Sequence, residues 1–275
     1  MNDKKRKKLP RIVIKIGTSS ITHNTGRLNY RHIEEMVSVI CDLKNMGHEI
    51  VVVSSGAMGS GLGKLNLNEK PEESSKKRAL AAAGQSGLMA IYEELFGIYE
   101  RKVAQVLLTN SMLSDNAYNN IATAFESMFE YDVIPIVNEN DVVTTNDPES
   151  NDYIGNNDIL AAYVAKIIKS NILIIWSDID GLYNKDPREN TDAQLISLVT
   201  ELNDDIYKMA GGAGTSRGRG GMLTKLNAAR IVMDAGIDMV IANSDRPEDI
   251  YEILNEKGKR PGTTFSSQKA LLFDS

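Results

Sequence analysis

Three charged residues stand where a strand-and-helix chain would put chemistry: Lys15 inside the apolar run "IVIKIG", Asp178 closing "ILIIWSD", and Lys225 after the glycine pair of "GRGGMLTK". An ammonium buried in an apolar strand without a partner costs several kcal/mol, so Lys15 should meet an anion. The alternative is an edge-strand lysine facing water. The segment from Gly221 reads as a helix, which places Lys225 in its first turns, where free N–H groups and the helix dipole favour anions. A surface lysine is the alternative there. Asp178 is the natural carboxylate to orient the two ammoniums, or else a turn cap. Asn138, Glu139, Asn140 and Asp141 follow the apolar run "VIPIV" as a polar cluster suited to a zwitterion or a metal. Recognition of a zwitterion is the better reading, since no histidine or further carboxylate pair accompanies it.

Familiar phosphate and hydrolase signatures are missing. Neither "GRGGMLTK" nor "GSGLGKL" has the Walker A spacing, "GSGLG" fails the dinucleotide fingerprint at its last glycine, and "GQSGL" misplaces the second glycine of a nucleophile elbow. The three histidines, His23, His32 and His48, have no metal-ligand spacing and read as structural. Cys41, the single cysteine, lies in an apolar helical pattern and reads as a buried thiol. What remains is glycine-rich backbone beside lysines at several strand ends, a way of holding a nucleotide triphosphate without a P-loop.

The elements that must position these groups alternate. Strand patterns at 11–17, 48–56, 102–109, 132–140, 171–181 and 238–242 are separated by helical patterns at 28–47, 74–99, 117–130, 156–170 and 221–236, with a last helix at 247–256. Strands apolar along their whole length and alternating with helices predict an α/β fold with a mainly parallel sheet covered on both faces. Ligands then sit outside the carboxyl ends of the strands. "VVTTNDPESNDYIG", long and aperiodic, is the candidate mobile substrate loop.

Composition narrows the partners. The 275 residues, 42% hydrophobic and 25% charged, suffice for a full core, and no apolar run approaches the ~20 residues of a membrane span. No secretory signal follows the start, so the expectation is a cytoplasmic protein. Residues 1–10 read as a basic, flexible terminus before a domain over 11–275. The formal net charge of −6 becomes −11 once Lys4, Lys5, Arg6, Lys7 and Lys8 are set aside, which disfavours nucleic acid.

The ordered set "VIKIGTSSIT", "VVSSGAMGSG", "AAAGQSGLM", "IPIVNENDVV", "GNNDILAAYVA", "SDIDGLYNKDPR" and "GRGGMLTKLNAA" resembles the amino acid kinase family, and within it the glutamate 5-kinases. The likeness runs from about residue 11 to about 265. It implies the family's three-layer αβα sandwich and transfer of the γ-phosphoryl of MgATP to the γ-carboxylate of L-glutamate, on the route to proline. It implies Lys15 and Lys225 as phosphoryl-stabilising lysines with Asp178 as their organiser, and Ser55, Asp141 and Asn157 as glutamate contacts. Lys15, Ser177, Asp178 and the loop Arg219, Gly220, Gly221, Met222, Leu223, Thr224 and Lys225 are implied for ATP. Mg²⁺ would be held mainly by the ATP phosphates, with no dedicated protein metal site. A homo-oligomer and proline feedback are implied as well.

Two departures stand out: Asn156 occupies a position usually acidic in the family, and Arg219 one commonly threonine. The sequence also stops before the PUA domain of many bacterial members, as in a single-domain form. Another amino acid kinase, acetylglutamate kinase first, and a non-catalytic sensor of the same fold stay open. The chemistry fits the residues. A carboxylate of pKa about 4.3 is already an anionic nucleophile at neutral pH, so no general base is needed.

Overall fold

The computed structural model describes residues 9–23, 25–109, 115–144, 156–210, 216–255 and 260–267. Its frame is an eight-stranded sheet in the order β3-β4-β2-β1-β5-β7-β8-β6. The strands are β1 (Arg11–Ile16), β2 (Glu49–Ser54), β3 (Lys102–Leu108), β4 (Val133–Glu139), β5 (Ile172–Ser177), β6 (Leu198–Val199), β7 (Asp238–Asn243) and β8 (Thr263–Phe265). From β3 to β7 every pairing is parallel, and β8 turns antiparallel to β7. The expected α/β, mainly parallel architecture is the observed one.

Alternation along β1 builds both layers. Ile12, Ile14 and Ile16 enter a core with residues of α2 (Tyr30–Met46), α4 (Ser74–Ile98) and α9 (Asp249–Leu254). Val13 enters the opposite core with α5 (Asp115–Glu130), α6 (Asn157–Ile167) and α8 (Ser216–Asp234). Side chains two apart share a face, so Lys15 joins Val13 on the α6 and α8 side. β1 pairs with β2 on one flank and β5 on the other, Lys15 lying opposite Val53 and Ile175. A central strand leaves no edge for its lysine to face water.

Five elements lie outside the sequence pattern. β6 and β8 have two and three residues and α7 (Asp204–Ala210) seven, too short to show a period. The glycine-rich stretch after β2 is a helix, α3 (Ala57–Lys64), following Gly56 at φ 102°. It packs on α4 so closely that a Cβ at Gly84 would fall 1.7 Å from the Ala57 carbonyl oxygen. Glycine here supplies helix-to-helix proximity, which outweighs its low helix propensity. A one-turn helix, α1 (Thr18–Ile21), follows β1. Among the described residues no helix is long and apolar enough to cross a membrane.

The remaining single residues fall where expected. His48 Nδ1 meets the Pro10 carbonyl at 2.9 Å and His32 Nε2 the Ser244 carbonyl at 2.6 Å, both structural contacts. Cys41 is buried, and desolvation pushes its thiol up to about 11.

Candidate active site

The carboxyl ends of the central parallel strands open into a cleft of about 300 Å³. β1 contributes Lys15, the turn after β2 gives Ser55 and Gly56, and β4 gives Asn138, Glu139 and, just beyond, Asp141. α6 contributes Asn157 and Asp158, while α8 gives Gly221, Thr224 and Lys225. Lys70, between α3 and α4, also lines it. A smaller recess of about 240 Å³ shares Glu139 and Asp141 with the cleft and reaches Gln85 on α4.

At its floor two ammoniums share one carboxylate. Lys15 Nζ lies 2.7 Å from Asp158 Oδ1, and Lys225 Nζ lies 3.2 Å from Asp158 Oδ2. Thr224 Oγ1 lies 3.1 Å from the same Oδ2 and 2.9 Å from the Gly221 carbonyl, two acceptors for its one proton. All three charged residues are buried, Asp158 at 1% exposure. Burial opposes ionisation of Asp158, yet the ammoniums of Lys15 and Lys225 outweigh it and hold the carboxyl below its ordinary range. Desolvation pulls Lys15 down, with Asp158 opposing and Lys225 adding to the fall. A Cβ at Gly17 would lie 3.4 Å from Lys15 Nζ, a contact distance.

This arrangement corrects the role expected of Asp178. Asp178 is exposed at the end of β5, accepts from Ser177 Oγ at 3.2 Å, and reaches Lys15 only as a through-space charge. The organiser is Asp158. Its position at the start of α6 reads from sequence as a capping acid, and the nearer sequence signal is that the buried face of the helix continues from it through Ala161, Ala162 and Ala165. Asn156 caps the helix, its Oδ1 accepting from the Asp158 N–H at 2.8 Å. An asparagine does that work as well as an aspartate, so the departure at Asn156 leaves the placement of Asp158 intact.

Lys225 is likewise displaced from its expected setting. α8 begins at Ser216, so Lys225 sits well inside the helix, where its Nζ also donates to the Gly221 carbonyl at 3.3 Å. The free amides of a helix are confined to its first turn, which the glycine pair has already passed. The segment therefore offers side chains, and the backbone cradle expected of Gly220 and Gly221 is spent on helix. Met222 and Leu223 pack against the core instead of lining the cleft. The side chain of Arg219 lies outside the described residues, as do 145–155 of the expected substrate loop and 1–8 of the basic terminus.

The rest of the cleft lining is rich in amides and acids. Asn157 Nδ2 donates to Ser55 Oγ at 2.8 Å and to Asn138 Oδ1 at 2.9 Å, which brings together two of the three residues expected to contact glutamate. Desolvation raises Glu139 to about 7, the neighbouring Asp141 adding to the rise against a hydrogen bond from Thr144. Burial raises Asp141 too. The cleft thus has a cationic floor and an acidic, amide-rich wall, a shape for a ligand with an anion at one end and a cation at the other.

Residues 10–243 match the amino acid kinase family. The chain belongs to that family. Among its relatives, a glutamate 5-kinase of Clostridium perfringens (strain 13 / Type A) is 46% identical over 260 residues, covering 94% of this chain and 96% of that protein. A glutamate 5-kinase of Caldanaerobacter subterraneus subsp. tengcongensis is 47% identical over 262 residues, 94% of this chain and 68% of its own length. The fold recurs in solved structures. A T. acidophilum isopentenyl phosphate kinase product complex aligns at TM-score 0.66 with 20% identity, covering 93% of this chain and 99% of that one. A Giardia lamblia carbamate kinase bound to AMP-PNP aligns at TM-score 0.66 with 13% identity, over 94% and 99%. In this member of the amino acid kinase family, the described residues contain no group of three or more His, Cys, Asp or Glu able to hold a metal.

Proposed function

We propose that this chain transfers the γ-phosphoryl group of ATP to the γ-carboxylate of L-glutamate, yielding L-glutamyl 5-phosphate as the first step of a route to proline. One observation carries the reading: Lys15 and Lys225 share the single carboxylate of Asp158. Two ammoniums against one carboxylate leave a buried positive charge unmatched, and that excess is complementary to a transferring phosphoryl group. The identity with glutamate 5-kinases along nearly the whole chain supports the acceptor.

The substrate carboxylate attacks as an anion, so the residues need only position it and neutralise charge. Lys15 and Lys225 stabilise the charge developing on the phosphoryl oxygens, while Asp158 and Thr224 hold the two ammoniums apart and aimed. Ser55 and Asn157 orient the substrate, and Asp141 with Glu139 faces its ammonium. Ser177, Asp178 and the stretch of α8 from Arg219 to Lys225 attend the nucleotide. Magnesium carried on the ATP phosphates fits the donor set, because Asp158 is committed to the lysines while the exposed Asp178 carboxylate remains as a hard oxygen donor. The bound ion lowers the charge on the phosphates. A homo-oligomer working in the cytoplasm under proline feedback completes the proposal, and it rests on the family resemblance.

The test is a coupled assay of ADP release with MgATP and either L-glutamate or N-acetylglutamate. Glutamate-dependent release with little turnover of N-acetylglutamate is expected. Preference for the acetylated acid would point to an acetylglutamate kinase, and no release with either acid to a non-catalytic sensor.

A further inference from the structure

We propose that Gln85, on α4 and outside the cleft lining, is a positioning residue whose side-chain oxygen fixes Asn138 and, through it, Asn157, so that Asn157 presents its oxygen to the substrate ammonium. The proposal rests on the glutamate reading of the cleft.

The orientation of the three amides follows from one donor that cannot be turned around. The backbone N–H of Glu139 donates to Asn138 Oδ1 at 2.9 Å, which fixes the oxygen end of that amide. Asn138 must then direct Nδ2 the other way, and it donates to Gln85 Oε1 at 2.8 Å. Because Asn138 Oδ1 is an acceptor, Asn157 has to meet it with Nδ2, at 2.9 Å. The second Nδ2 hydrogen of Asn157 goes to Ser55 Oγ at 2.8 Å, so both donors are spent.

Asn157 is left with a buried Oδ1 that has no partner among the described residues, and Glu139 with a buried Oε1 in the same state. Both residues line the cleft beside Asp141. Three acceptors around one wall match the three hydrogens of an ammonium. Gln85 is 8% exposed and Asn138 4%, so water does not readily replace the bond between them. With that acceptor gone, Asn138 Nδ2 is orphaned. Rotation of Asn138 to find another partner would release Asn157 to turn its NH₂ toward the ammonium, which repels it.

The experiment compares Gln85→Ala and Gln85→Glu with wild type, using L-glutamate as substrate and glutarate, which has both carboxylates but no ammonium, as competitive inhibitor. Gln85→Ala should raise the KM for glutamate by about 10-fold, the value of one hydrogen bond to a charged group, and leave the KM for ATP within about twofold. Its inhibition constant for glutarate should stay at the wild-type value. Gln85→Glu keeps an oxygen opposite Asn138 and should return the glutamate KM to within about threefold of wild type. Equal weakening of glutamate and glutarate, or a wild-type KM in Gln85→Ala, would overturn the positioning role alone. A wild-type protein that releases no ADP with glutamate would overturn the glutamate reading and this inference with it.

Discussion

Lys15 Nζ and Asp158 Oδ1 meet at 2.7 Å across the boundary between the sheet and its helical layer, their side chains 9% and 2% exposed. The pair joins the central strand to α6, and the second oxygen of Asp158 extends the link to Lys225 on α8. Asp158→Ala removes the carboxylate that bridges two buried ammoniums. It should destabilise the protein by about 3–5 kcal/mol, the usual result of breaking a buried pair from one side. Urea unfolding with and without saturating ATP measures this, and an unchanged midpoint would show that the ion pair does not hold these layers together.

Lys15→Ala and Lys225→Ala act on the chemical step. Each should lower kcat by roughly 10²–10³-fold with a smaller change in the KM for glutamate, because the interaction lost is strongest where charge develops. Steady-state kinetics with glutamate and MgATP varied separately decides it. Near wild-type kcat in both variants would remove the lysines from the transition state.

Glu139 sets a pH dependence. Burial, with Asp141 beside it, raises the carboxyl to about 7, well above the ordinary 4.5. The fold therefore favours the protonated acid: the stability linked to this group is present below the ordinary value and is lost as pH rises through 7. Glu139→Gln should be more stable than wild type at pH 8, the gap narrowing toward pH 5. An ammonium favours the ionised acid, so kcat/KM for glutamate should climb between pH 6 and 8 in the wild type and flatten in the variant. A wild-type climb that persists unchanged in Glu139→Gln would assign the titration to another group.

Gly84 tests the packing that places Gln85. A Cβ there would meet the Ala57 carbonyl oxygen at 1.7 Å, whereas one at Gly97, on the same helix, meets nothing within 4 Å. Gly84→Ala should cost about 3 kcal/mol or more by forcing α3 from α4, and Gly97→Ala should be neutral or stabilise by up to about 1 kcal/mol. Thermal unfolding of both variants compares them directly. Similar melting temperatures would mean that the two helices separate without cost.

How far the site could be read in advance depended on whether each residue broke a local rule. Lys15 did, as a cation in an apolar strand, and strand alternation gave it a face once the flanking helices were known. The polar run from Asn138 to Asp141 did so too, directly after buried β4. Asp158 broke none, because an acid in the first turn of a helix is ordinary, and only the packing of α6 on α8 and β1 turns it into the hub. The helical state of 57–64 and the early start of α8 were hidden by glycines, which lower local helix preference while tertiary proximity selects them. Gln85 was invisible for a simpler reason: its partner, Asn138, lies 53 residues away.

Asp141 provides the sharpest separation of substrate from metal. It follows β4 at the strand carboxyl end, half-buried, and lines both the cleft and the neighbouring recess. Burial raises its carboxyl, so the charged form is held at some cost and an ammonium ligand offsets that cost. A charge-assisted hydrogen bond contributes about 1.5–3 kcal/mol, and losing it should weaken glutamate binding by roughly 10–150-fold. Asp141→Asn should therefore raise the KM for glutamate strongly, leave that for ATP nearly unchanged, and narrow the preference over N-acetylglutamate, whose nitrogen carries no charge. If Asp141 held Mg²⁺ instead, raised Mg²⁺ would rescue the variant and its ATP parameters would suffer first. Separate titrations of glutamate, ATP and Mg²⁺ against the variant distinguish the two, and a defect confined to ATP and Mg²⁺ would refute the ammonium contact.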